Sequence, residues 1–103
     1  MRNVVFVTLL LASAVSQFTW AQAKYSGGDG STRETAIVIS AANEKEGVGA
    51  EYAWLKDNLP GAKLEKTGLS DDGAKIYDTM VVALPNGEQR TIYFDITSYF
   101  GKW

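Results

Sequence analysis

Gln89-Arg90-Thr91-Ile92-Tyr93-Phe94-Asp95-Ile96-Thr97-Ser98-Tyr99-Phe100-Gly101-Lys102-Trp103 is the densest β-branched and aromatic run in the chain, a composition suited to a pleated, half-buried strand. Strand side chains alternate between faces, so Ile92, Phe94 and Ile96 form one set and Thr91, Tyr93, Asp95 and Thr97 the other. The first set predicts the centre of a core and the second predicts the opposite sheet face. Tyr99, Phe100 and Trp103 follow as an aromatic tail, expected to lie over Trp54 or over the end of the sheet.

Working backwards from this strand, Pro85-Asn86-Gly87-Glu88 carries an Asn-Gly hairpin signal. It joins the final strand to Lys75–Leu84, the longest strand signal in the sequence. There Ile76, Met80, Val82 and Leu84 point one way and Tyr77, Thr79, Val81 and Ala83 the other. Asp78 is out of place, in phase with the apolar row. A carboxylate there calls for water at a strand end, a hydrogen-bond donor, or a bulge that resets the phase. Ser70-Asp71-Asp72-Gly73 predicts a turn from a weakly alternating, exposed edge strand over 62–69.

Pro60-Gly61 is a helix stop and Asn43, with Glu46 three residues later, a helix start, which predicts a helix over 43–59. At 100° per residue Val48, Tyr52, Leu55 and Leu59 share a face, the one expected to meet the sheet, and Trp54 points away from it. Thr35–Ile39 predicts a short buried strand. Lys24–Arg33 has no apolar period and reads as a flexible lead-in. Gly27-Gly28-Asp29-Gly30 lacks the strand–loop–helix frame and the Lys-Ser/Thr pair of a phosphate cradle. The chain therefore predicts an α+β fold, one helix packed on a three- to four-stranded, mainly antiparallel sheet in the order β-α-β-β-β.

Residues 1–23 combine Arg2, an apolar run from Val4 to Ala12, and Ala21-Gln22-Ala23, the three-part pattern of a secretory signal peptide. The apolar run is shorter than a bilayer span. The expectation is a single small domain over 24–103, exported to the periplasm or secreted, with no anchor once the signal is removed. Removal takes Arg2 away, leaving nine basic residues against twelve acidic ones, so the formal charge moves from −2 to −3. This mildly acidic chain offers no basic face for nucleic acid. With no cysteine, stability has to come from apolar burial and hydrogen bonding without disulfides.

Histidine is absent as well, which removes the usual base for a serine or cysteine nucleophile and the commonest zinc and copper ligands. Asp71-Asp72 beside Gly73 lacks the spacing of a calcium loop. The carboxylates Asp78 and Asp95 fall on opposite sheet faces, which does not suit paired acid/base cleavage. The expectation is a protein that is no enzyme and uses no cofactor or metal. Its candidate binding residues are Tyr77, Tyr93 and Asp95, on the face away from the helix, and Trp54. Tyrosine and tryptophan are the residues that most often anchor interfaces.

The Gly27-Gly28-Asp29-Gly30-Ser31 opening, the Ala50-Glu51-Tyr52-Ala53-Trp54-Leu55 segment and the Tyr93–Lys102 ending together resemble a family of small exported bacterial proteins to which no activity is attached. That resemblance implies a periplasmic location and no site. The order of elements is also similar to cystatin-like and PepSY-type domains. The Gln-x-Val-x-Gly loop of cystatins is absent, however, and Gly68-Leu69-Ser70-Asp71-Asp72-Gly73 stands in that place. The function expected is a non-catalytic module that binds a protein, a peptide or its own copy through the aromatic sheet face. The alternative is a small-ligand carrier with a pocket between helix and sheet near Asp78 and Met80.

Overall fold

The computed structural model describes residues 23–103. Apart from Ala23, the segment expected to be a signal peptide lies outside the described residues. The elements are β1 (Lys24–Gly27), β2 (Ile37–Ser40), α1 (Glu44–Asn58), β3 (Lys63–Asp71), β4 (Ile76–Ala83) and β5 (Gln89–Asp95). The class is α+β as predicted, one helix on a mainly antiparallel sheet. The sheet has five strands in the order β1-β2-β5-β4-β3, one more than the upper expectation.

The extra strand is β1. The supposed lead-in pairs antiparallel with β2, and beyond it Gly28 N–H donates to Ala36 O and Gly30 N–H to Thr35 O. Asp29 accepts from the Ser31 backbone and hydroxyl, and Thr32 and Thr35 bond to one another. Lys24–Arg33 is thus ordered through its backbone and short polar side chains, with β1 itself exposed along its length.

β5 occupies the centre, antiparallel to β4 and parallel to β2. The Asn86-Gly87 turn forms as predicted: Leu84 N–H donates to Glu88 O, and Gly87 has φ +91, which glycine tolerates without penalty. Asp72 closes the preceding turn by accepting from the backbone of Ala74 and Lys75. Those bonds hold its carboxyl below the usual range, the Lys75 one foremost.

α1 begins and ends where the sequence places it. Asn43 caps the start by accepting from Glu46 N–H at 2.9 Å, and Leu59 N–H closes the end on Leu55 O. Its inward face is only partly the expected one: Leu55 and Leu59 turn to the core as expected, the other two residues do not. Gly47, Ala50, Glu51 and Leu55 are buried, whereas Val48 and Tyr52 are exposed. Trp54 is turned inward: half-buried, it meets Phe94 edge-on with ring centroids 5.7 Å apart.

The reason lies in the tail. Tyr99 is fully buried in the core with Ile37, Ile39, Met80, Val82, Ile92, Phe94 and Ile96. A methyl group at Gly47 would overlap the Tyr99 ring, so α1 presents Gly47 where the tail comes closest. Ser98 fastens the tail to the end of β2, donating to Ile39 O and accepting from Ala41 N–H. Lys102 O then accepts from Glu44 N–H at 2.7 Å, satisfying one of the unpaired amides of the helix start. Tyr99 therefore covers Gly47 and Glu51, not Trp54, while Phe100 is exposed and Trp103 is 94% exposed.

Candidate functional site

Alternation places Tyr77, Tyr93 and Asp95 on the sheet face away from α1, as predicted; Tyr77 stands directly opposite Asp95 in the β4–β5 ladder. Tyr77 and Asp95 are nevertheless buried. The Tyr77 hydroxyl donates to Asp72 Oδ2 at 3.2 Å, and the Arg33 guanidinium sits 5.4 Å from its ring centroid. Asp95 Oδ1 accepts from Thr97 N–H at 3.0 Å and from the Thr97 hydroxyl at 2.6 Å, with Lys75 Nζ 3.9 Å from Oδ2. The two turns that flank this face, 28–36 and 71–75, supply Arg33, Asp72 and Lys75. Tyr93 is half-buried, its backbone N–H donating to Gly30 O. Both polar tips expected to wait for a partner are thus satisfied within the protein. The fourth candidate, Trp54, lies across the sheet from the other three and packs inward.

On the helix side, Asp78 remains in phase with Met80 and Val82 without a bulge in β4. Its neighbour is Glu51 of α1, which is 0% exposed. Glu51 Oε1 accepts from the Tyr99 hydroxyl at 2.9 Å, while Oε2 has no hydrogen-bond partner among the described residues. Burial, reinforced by the Asp78 carboxyl, pushes Glu51 up to about 9, so it is protonated at neutral pH. Burial and the Glu51 carboxyl push the Tyr99 phenol far up as well. Neither group is available as a base at neutral pH.

Another exposed apolar surface lies further out. α1 packs over β2 and the centre of the sheet, leaving the helix-side surface of β3 open. β3 contributes Leu64, Thr67, Leu69 and Asp71 to that side and Lys63, Lys66, Gly68 and Ser70 to the other, with a bulge at Glu65 between Leu64 and Lys66. Leu64 is 39% and Leu69 57% exposed. A shallow trough of about 280 Å³ runs between the helix flank and the β3–β4 ribbon, lined by Tyr52, Leu55, Leu59, Ala62, Leu64 and Val82. Tyr52, at its rim, is 48% exposed.

β3 also has a free edge. Among the described residues it pairs only with β4, so a strand of nine residues leaves one row of backbone donors and acceptors to solvent. The other outer strand, β1, has only four residues. The sequence predicts an exposed edge strand here, but the leucines became visible as a surface only once β3 was seen to extend past α1.

No protein-family model matches the chain, no curated protein resembles it in sequence, and no solved structure matches its fold.

Proposed function

We propose that this protein is a non-catalytic interaction module of the bacterial periplasm or exterior, which takes up an extended segment as an added strand on β3. The observation that carries this reading is the nine-residue unpaired edge beside exposed Leu64 and Leu69 and the trough that Leu64 lines. Strand addition draws affinity from main-chain hydrogen bonds and specificity from the side chains that flank them. The aromatic face expected from the sequence gives this role less support, because Tyr77 and Asp95 already have partners. The ligand-carrier alternative has less support too: Met80 is in the core, and Glu51 neighbours Asp78.

A photo-reactive residue at Thr67, in cells making the full chain, is expected to give covalent adducts. These should disappear when Leu64→Lys and Leu69→Lys are combined with it. Both leucines are exposed, so the double variant should fold normally. Adducts from the same probe at Tyr93, with none at Thr67, would return the site to the face away from the helix.

A further inference from the structure

We infer that the strand added to β3 is the β3 of a second copy of this chain, antiparallel and related by a two-fold axis at Thr67. This self-pairing presupposes the strand addition proposed above and names its partner. In an antiparallel ladder directly opposed side chains lie on the same face of the sheet, so a strand can pair with itself only in registers that match its two faces. With the axis at Thr67, Thr67 meets its own counterpart and Lys66 meets Gly68. The bulge at Glu65 removes one residue from the count, and Leu64 then meets Leu69, with Lys63 opposite Ser70. Every pair matches in face.

Without the bulge Leu64 would oppose Ser70 on the face away from the helix, and the two leucines would lie on opposite faces of the sheet. The bulge makes this edge self-complementary, although such irregularities more often protect an edge. Neighbouring registers fare worse. An axis at Lys66 sets two lysines directly opposite each other, and an axis at Gly68 sets Leu64 against Asp71. Only the Thr67 register pairs both exposed leucines with leucine and opposes no like charges directly. In that register Leu69 of each copy comes beside Leu64 of the other, extending the apolar floor of the trough formed by Tyr52, Leu59 and Ala62. Two-fold symmetry closes the assembly at two copies and covers both free β3 edges.

The absence of cysteine allows a direct test by disulfide trapping. Opposed strand residues have Cα atoms about 4.5–5.5 Å apart, within the range a disulfide spans. In the full chain, Thr67→Cys is expected to form a covalent dimer at least tenfold faster than Lys63→Cys. Leu64→Cys and Leu69→Cys should cross-link when mixed and not when oxidised separately. Light scattering is expected to give twice the chain mass for the unsubstituted protein, and the chain mass for Leu64→Lys/Leu69→Lys with an unchanged far-UV circular dichroism spectrum. A monomer at hundreds of micromolar, together with Thr67→Cys no faster than Lys63→Cys, would overturn self-pairing. If the photo-reactive probe at Thr67 then captures other proteins, strand addition survives with a different partner. If it captures residues 1–22 of its own chain, self-pairing is likewise overturned. If it captures nothing, both proposals fail.

Discussion

Replacing Glu51 by glutamine tests the buried acid at the centre of the helix–sheet contact. Burial first, then Asp78 and more weakly Glu44, raise Glu51 from 4.5 to about 9 in the folded protein, with the Tyr99 hydrogen bond opposing them. Between those values the folded state keeps a proton that the unfolded chain has released. Stability is therefore full below about pH 4.5 and falls as pH rises towards about 9. Each pH unit inside that window costs about 1.4 kcal/mol, so the wild type should lose roughly 4 kcal/mol between pH 5 and pH 8. A domain of this length has a total stability of only about 4–12 kcal/mol.

Glutamine retains the acceptor for the Tyr99 hydroxyl and cannot ionise. Urea unfolding followed by Trp54 fluorescence should give similar midpoints for wild type and Glu51→Gln at pH 5. At pH 8 the variant should be the more stable by several kcal/mol. No histidine is present to confuse this window. A wild-type stability that is flat from pH 5 to pH 8, or a variant weakened equally at both, would show that Glu51 is charged in the fold and refute the assignment.

Two glycines in one helix should respond in opposite directions. Gly49→Ala meets no atom within 4 Å and should stabilise by about 1 kcal/mol through helix propensity. Gly47→Ala collides with the Tyr99 ring and should destabilise by about 1–3 kcal/mol despite the same propensity gain; thermal melts of the two variants decide it. Truncation after Thr97 removes Tyr99 from the core and should cost at least about 3 kcal/mol. The Trp54 emission maximum in the remaining folded fraction should barely move, because Trp54 rests on Phe94. In the proposed dimer the two Lys66 side chains are diagonal neighbours about 7–8 Å apart, repelling by about 0.5 kcal/mol in water. Sedimentation should therefore find tighter association at 0.5 M salt than at 0.02 M, the reverse of an interface held by ion pairs.

What was legible in the sequence was encoded locally. Asn43 and Pro60-Gly61 mark the helix, Asn86-Gly87 the hairpin, and alternation sorts β4 and β5 correctly, down to the shared face of Tyr77, Tyr93 and Asp95. What was missed depends on distant parts of the chain. β1 has no apolar period because it is an exposed edge strand held by backbone pairing and by the Tyr25 hydroxyl, which donates to Ala50 O at 2.7 Å. The inward face of α1 was half misjudged because Gly47, Ala50 and a protonated Glu51 share it with Leu55, and none of those three carries a large apolar side chain to mark a face. Tyr77 and Asp95 looked available because the turns that cover them are separate in sequence from both strands. The β3 edge was anticipated as an exposed, partly polar strand; Leu64 and Leu69 acquired meaning only from where α1 stops covering the sheet.

The closing residues also impose an order of events on the chain. Tyr99 fills the core, Ser98 fastens to β2, and Lys102 completes the start of α1, so contacts around β2 and α1 wait on residues much further along the chain. A chain whose residues 98–102 are still held in a ribosome or a translocation channel lacks the ring that packs on Gly47 and the hydroxyl that donates to Glu51 Oε1. Stable packing of α1 on the sheet thus requires residues 98–102 to be free to dock, a delay set by long-range closure.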